Sequence, residues 1–304
     1  MQRKYFSKPV NFVLPGKQEN TFLHRKNNVL NKIMDKLKNK VIIITGASSG
    51  IGKALAIEAM RNNMRVVLAA RRKELLEELA AKHSWNPEKY ILVGTDVSRE
   101  EDCKSLTDET IAKFGKIDVL INNAGISMRA LFADLDLEVI KKLMDVNFWG
   151  TVYCTKHALP WLLKSKGSVT GVSSIAGIRG LPARTGYSAS KFAMQGFLEA
   201  LRTENLKTGL HVMVACPGFT SSNIRKTALA NDGSVQGESP RKESEMMSAE
   251  EVARHILKGI VKRKRTLVLT SQGKLTVVLN KILPGLTDKL VFNHMAKEPD
   301  SPFK

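Results

Sequence analysis

Cysteine is scarce in this 304-residue chain: Cys103, Cys154 and Cys216 are its three, and none belongs to a CxxC or a Cys/His cluster. That scarcity excludes a disulfide-stapled scaffold and a structural zinc site, and it fits a reducing, cytoplasmic compartment. Long hydrophobic runs are missing as well. No stretch approaches the roughly 18 apolar residues of a membrane span, and the N-terminal region lacks the continuous apolar core that marks a secretory signal. Acids are few, with 29 Asp and Glu against 48 Lys and Arg, a net charge of +19. The excess is uneven: a net +8 over residues 1–40, a net +6 over 241–304 and only +5 across the 200 residues between. A near-neutral body with basic ends argues against a nucleic-acid-binding core. Phosphate-rich partners, a membrane surface and plain solubility remain open as roles for the ends.

What is present is an ordinary globular composition, 43% hydrophobic and 25% charged, in a pattern that alternates β-rich runs with helical segments. Such alternation predicts an α/β fold, a doubly wound parallel sheet in a single domain. Strands are expected at 41–45, 66–70, 91–97, 119–125, 168–174 and 211–218, with RTLVLT at 265–270 as the last. Helices are expected between them, one of them running unbroken over 137–164 through Asn147. Residues 1–37 form a basic extension in which Val29, Leu30, Ile33 and Leu37 fall at helical spacing, suiting a short amphipathic helix, with a weakly ordered extension as the competing reading. The body spans 38–270. Within it, the polar stretch 219–247 follows a strand end and reads as a lid over substrate. Ser248 then opens a helix with the S-x-x-E spacing of a capping box. An apolar and basic tail occupies 271–304 and is a candidate for peripheral membrane contact, with packing on the body or on another subunit as the competing reading.

The strand VIIIT leads into TGASSGIG, whose Gly46, Gly50 and Gly52 precede an amphipathic helix. A glycine turn between the first strand and a helix N-terminus is where a nucleotide phosphate is expected, because backbone N–H groups face the anion there. The second strand ends in AARR rather than in an acid. Arg71 and Arg72 offer charge and hydrogen bonds to a 2′-phosphate, which favours NADP(H) over NAD(H). An arginine pair that merely opens the next helix is the competing reading.

Further along, Tyr187 and Lys191 lie four apart in a helical segment and therefore share a face. An ammonium near a phenol lowers its pKa and makes it a usable acid or base near neutral pH. Ser174, thirteen residues before the tyrosine, ends a β-branched run and can reach the same point from a strand end.

Together TGASSGIG, Asp96, NNAG at 122–125, Asn147, Ser174, Tyr187, Lys191 and Pro217-Gly218 resemble the short-chain dehydrogenase/reductase family, over roughly residues 38–270. The resemblance implies a Rossmann-type seven-stranded sheet and a homo-oligomer, dimer or tetramer, built through helices on its sides. It also implies site roles. Gly46, Ser48, Ser49, Gly50, Ile51 and Gly52 would line the pyrophosphate and ribose, Arg71 and Arg72 the 2′-phosphate, and Asp96 and Val97 the adenine. Asn123, Ala124 and Gly125 would pass under the ribose, while Pro217, Gly218 and Thr220 would hold the nicotinamide amide. Tyr187 would move the proton, Ser174 would hydrogen-bond the substrate oxygen, and Lys191 would hold the ribose and lower the tyrosine's pKa. Asn147 would bind a water linking that lysine to solvent.

The expected activity is NADP(H)-dependent hydride transfer with an apolar ketone, aldehyde or secondary alcohol, of steroid-like, lipid or 3-oxoacyl type. A non-enzymatic NADP(H)-binding module that docks through its basic ends is the alternative. Met128, Phe132, Ile178, Leu181, Phe219, Met246 and Met247 are candidates for an apolar pocket, with core packing as the competing explanation for each. Trp149 and Trp161 read as core or oligomer contacts, and His157 as a packed or surface histidine.

Overall fold

Seven short runs rich in Val, Ile and Leu form one all-parallel sheet in the computed structural model, which describes residues 34–239 and 246–303. The strands are β1 (Val41–Thr45), β2 (Arg65–Ala70), β3 (Tyr90–Gly94), β4 (Val119–Asn122), β5 (Ser168–Val172), β6 (His211–Cys216) and β7 (Thr266–Val268). Their order is β3-β2-β1-β4-β5-β6-β7. The expected doubly wound sheet is therefore present, and the winding reverses between β1 and β4, the place where such sheets open a ligand crevice.

All five residues of β1 are buried, as a strand covered on both faces requires. Successive side chains point to opposite faces. Ile42 and Ile44 join one core with helices α1 (Gly50–Arg61) and α7 (Ala249–Val261). Val41 and Ile43 join the other, with α3 (Glu100–Phe114), α5 (Gly150–Lys164) and α6 (Thr185–Glu204). At the end of the sheet away from the crevice, buried Asp118 accepts from Val41 N and pairs with Lys40 and Lys116 at 2.8 and 2.9 Å. Burial pushes this carboxyl up, but the three partners outweigh it and hold it below the usual carboxylate range.

Several elements differ in extent from the sequence expectation. Strand β3 stops at Gly94 because Asp96 begins a turn, accepting from Ser98 N and Oγ at 3.1 and 2.7 Å. Strand β4 stops at Asn122 because Asn123 turns aside to bond β1. The helix expected across 137–164 is α4 (Leu137–Met144) and α5 joined by a π-turn at Asp145–Trp149. Its extra residue is centred on Asn147, and such insertions commonly mark functional positions. Between α1 and α3, the short α2 (Glu74–Lys82) adds Leu76 and Leu79 to the core that holds α1.

The polar stretch 219–247 is tied down rather than free. Leu229 bridges to Met128 and to Val235, and Thr220 bridges to Met247, while residues 240–245 lie outside the described ones. The amphipathic helix expected within the N-terminal extension lies mainly outside them too. Ser248 caps α7 by accepting from Glu251 N at 3.1 Å, as its capping-box spacing predicts. The C-terminal tail forms two helices, α8 (Ser271–Ile282) and α9 (Pro284–Ala296).

Candidate active site

The site residues gather at the C-terminal ends of the strands. Gly46 and Gly50 have φ of +66° and +51°, the left-handed region that glycine enters without strain. Space matters as much as conformation. A Cβ on Gly46 would lie 2.8 Å from Ala124 Cα, and one on Gly52 would lie 2.1 Å from the Gly46 carbonyl oxygen. Helix α1 can therefore rise directly from the turn, against the segment after β4. Asn123 closes the arrangement: its Nδ2 donates to the Thr45 carbonyl at 2.8 Å, while Thr45 Oγ1 accepts from the backbone N–H of Asn123 and Ala124, each at 3.0 Å.

The N-terminus of α1 fits an anionic group. Ser49 precedes it without a side-chain capping bond, and its first turn carries no acid, whereas the first turns of α3 and α7 do. Its leading N–H groups are thus available to a phosphate. Ser48 and Ile51 flank the turn, half-buried. Ala47 N donates to Ala69 O at 3.1 Å, which sets the turn beside the end of β2, where Arg71 and Arg72 stand exposed. Across β3, Val97 spends its side chain on packing, with Gly150 pressed against it. Beyond β6, Pro217 O accepts from Ile175 N at 3.2 Å, and buried Thr220 donates to Gly218 O at 3.1 Å.

The candidate catalytic groups lie where β4, β5 and α6 meet. Lys191 is 2% exposed, its Nζ donating to Val172 O at 3.0 Å and sitting 5.8 Å from the centre of the Tyr187 ring. Burial lowers the lysine's pKa to about 8. A Cβ on Gly125 would fall 3.1 Å from Asn147 Oδ1 and 3.2 Å from Lys191 Nζ, so only glycine leaves these two groups together. Asn147 is fully buried; its Oδ1 accepts from Ile126 N at 2.8 Å, and its Nδ2 donates to Ile126 O and Ser190 Oγ at 3.0 and 2.9 Å. Both amide protons are committed, so this side chain braces the site.

Ser174 begins a short 3₁₀ turn, accepting from Ala176 N at 3.1 Å, with its hydroxyl beside the Tyr187 phenol. Ser173 faces the other way, donating to Lys191 O and accepting from Gln195. The expectation that Lys191 lowers the phenol's pKa needs correction. Burial raises the Tyr187 pKa, and the influences that partly offset it are the Ser174 hydroxyl and the Arg184 and Arg225 cations. The lysine's ammonium is turned instead toward the Val172 carbonyl.

Not every sequence candidate is at the site. Phe132 is 61% exposed and Met247 packs against the sheet's other face, whereas Met128 is buried in the small core against which Tyr187 packs. Leu181 borders a cavity of about 520 Å³ against Val291 and Phe292 of α9. Trp161 is partly buried, Trp149 is exposed and stacks on Tyr153, and His157 pairs with Glu100 at 3.1 Å. Cys103 and Cys154, 51 positions apart, bring their sulfurs within 3.3 Å, a cluster invisible in the spacing. Three contributors were missed: Thr45, Ser190 and Arg184. Ser190 carried a signal, since i and i+3 share a helix face and it follows Tyr187 by three.

A family model described as short chain dehydrogenase matches residues 40–233. The chain belongs to that family. This short-chain dehydrogenase is 36% identical over 262 residues to the 11-beta-hydroxysteroid dehydrogenase-like 2 of Arabidopsis thaliana, covering 84% of this chain and 82% of that one. It is 33% identical over 271 residues to dehydrogenase/reductase SDR family member 7B of Mus musculus, covering 87% and 84%. Among solved structures, the fold matches a short-chain dehydrogenase/reductase from Burkholderia phymatum in complex with NAD, at a TM-score of 0.74 and 23% identity, over 82% of this chain and 95% of that one. It also matches an alcohol dehydrogenase from Thermococcus sibiricus complexed with 5-hydroxy-NADP, at 0.65 and 25% identity, over 76% and 95%.

Proposed function

We propose that this short-chain dehydrogenase transfers a hydride between NADP(H) and an apolar ketone, aldehyde or secondary alcohol of steroid-like, lipid or 3-oxoacyl type. The observation that carries the reading is the meeting of Ser174, Tyr187 and Lys191 at the mouth of a glycine-lined crevice. When bound, the nicotinamide supplies or accepts the hydride. The protein's own work is positioning and proton movement. In reduction Tyr187 gives its phenolic proton to the carbonyl oxygen and regains one from solvent; in oxidation it takes the proton from the alcohol. Ser174 donates a hydrogen bond to that oxygen as charge develops on it. Lys191 gives one of its three protons to Val172 O and offers the others to ribose hydroxyls.

Arg71 and Arg72 support the preference for a 2′-phosphate, standing exposed beside the glycine turn. Relatives named as hydroxysteroid dehydrogenases support an apolar substrate. Purified protein supplied with ketosteroids, 3-oxoacyl thioesters and simple aldehydes should consume NADPH faster than NADH. Arg71→Ala with Arg72→Ala should raise the KM for NADPH about tenfold or more and leave that for NADH unchanged. Tight nucleotide binding without turnover across the whole panel would favour the binding-module reading instead.

The exposed faces of α8 and α9 support a peripheral setting for the reaction. Leu275, Val278, Ile282, Leu286, Leu290 and Phe292 are exposed there, alongside Lys274, Lys281 and Lys289. Among the described residues no helix is long and apolar enough to cross a membrane. An apolar face edged with lysines suits peripheral contact with an anionic bilayer from the cytoplasmic side. Equal pelleting with liposomes before and after Leu275→Glu with Ile282→Glu would remove this contact. Trp149 and Phe192, exposed on neighbouring helices, suit the face of a homodimer or tetramer.

A further inference from the structure

Between Ser174 and Tyr187 the chain carries two arginines, and both reach the C-terminal segment. Arg179 pairs with Asp288 of α9 and donates to Asn280 Oδ1 of α8 at 3.3 Å. Arg184 is held more deeply. Its Nη2 lies 3.3 Å from Glu298 Oε2, and Arg129 Nε lies 3.6 Å from the same oxygen. Arg129 also donates through Nη2 to the carbonyls of Pro299 and Asp300, at 2.6 and 3.0 Å. Glu298 is 4% exposed, and a carboxylate removed from water so completely is tolerated only where cations and hydrogen bonds compensate it.

The turn entering α6 is itself unusual. Ala183 is buried with a φ of +58°, a region that glycine normally supplies. Such a conformation persists where the surroundings over-determine it. Here Ala130 N donates to Ala183 O at 3.1 Å from one side, and Glu298 grips the next residue, Arg184, from the other. One helical turn onward stands Tyr187, and Ser188 closes the first turn by donating its N–H to Arg184 O at 2.8 Å and accepting from Leu181 N at 3.1 Å.

We propose that Glu298 is a positioning residue of the active site: it anchors Arg184, and through that turn it fixes the place and surroundings of the Tyr187 phenol. The C-terminal segment is then part of the catalytic apparatus, 111 positions away in sequence. The inference rests on the reading of Tyr187 as the proton donor. The groups facing that phenol are Ser174 after β5, Cys216 at the end of β6, Arg225 beyond it, Arg184 in the turn entering α6, and Lys191 on α6. Burial pushes the Cys216 thiol up to about 12, so it faces the phenol uncharged. Losing the anchor lets the Arg184 cation drift away and allows the phenol's pKa to rise.

The test compares wild type, Glu298→Gln, Arg184→Gln and the double variant in two ways: kcat for NADPH-driven ketone reduction, and the Tyr187 titration followed by ¹³Cζ-tyrosine NMR, assigned with Tyr187→Phe. The expected result is a kcat about tenfold lower in each single variant, with KM for NADPH within about twofold. The Tyr187 midpoint should rise by about half a unit, and the double variant should be no worse than Arg184→Gln alone. An unmoved Tyr187 midpoint in Glu298→Gln overturns the proposal, as do additive effects in the double variant. Should Arg184→Gln not fold, Glu298→Gln decides by itself, and Arg184→Lys, which keeps the cation, should leave the Tyr187 midpoint close to that of wild type. Absence of turnover in wild type would sink the proposed function, whereas the NMR titration still decides the role of Glu298.

Discussion

Asn147 donates through Nδ2 to the Ser190 hydroxyl at 2.9 Å, and that hydroxyl donates in turn to the Tyr187 carbonyl at 2.8 Å. The π-turn between α4 and α5 is thereby pinned to the helix that carries both Tyr187 and Lys191. Ser190→Ala removes the link and should lower kcat about tenfold while leaving the fold intact. Asn147→Ala also strands the part-buried N–H of Ile126, at a cost of about 1 kcal/mol. Steady-state kinetics beside thermal unfolding separate the two; equal, negligible effects on kcat would mean that the bond does not position the site.

Lys191 works against the stability of the cofactor-free protein. Its folded-state pKa of about 8 lies below the ordinary lysine value of 10.5 because burial penalises the ammonium. Above pH 8 the folded protein sheds a proton that the unfolded chain keeps until about 10.5, so this contribution to stability grows with pH across that window and is at its least favourable below pH 8. Lys191→Met should accordingly stabilise the protein by about 1–3 kcal/mol at pH 7 while abolishing activity. The gap should shrink as pH rises from 8 to 10.5 in urea-unfolding titrations. A variant less stable than wild type at pH 7 would show that burial is not the controlling cost.

Gly52 tests whether the crevice is shaped by close approach. Alanine there sets a Cβ 2.1 Å from a backbone oxygen that has no freedom to yield. Gly52→Ala should cost about 1–3 kcal/mol or more and weaken nucleotide binding measured by calorimetry. Gly94→Ala meets nothing within 4 Å and should change stability by less than about 0.5 kcal/mol. Similar behaviour of the two would contradict the packing argument.

Much of the architecture was legible because parallel strands buried on both faces are nearly continuous apolar runs, as in VIIIT, and the helices between them carry apolar stripes. Strand ends were less legible. Asp96 and Asn123 leave their strands for side-chain bonds whose partners, Ser98 and Thr45, no periodicity reveals. The site was readable where chemistry lies on one helix, as with Tyr187 and Lys191. It was opaque where it depends on long-range meeting: the burial that raises Tyr187 and the grip of Glu298 on Arg184. The π-turn at Asn147 had no signature either, since the flanking segments are ordinary helix.

Tyr187→Phe addresses the central claim most directly, because it removes one oxygen and keeps the ring that packs beside Met128 and Leu143. NADPH oxidation with the best ketone of the panel should fall by about a thousandfold or more, while NADPH binding measured by calorimetry stays within about twofold of wild type. Turnover retained within about tenfold of wild type would contradict the assignment of Tyr187 as the proton donor, and with it the proposed mechanism.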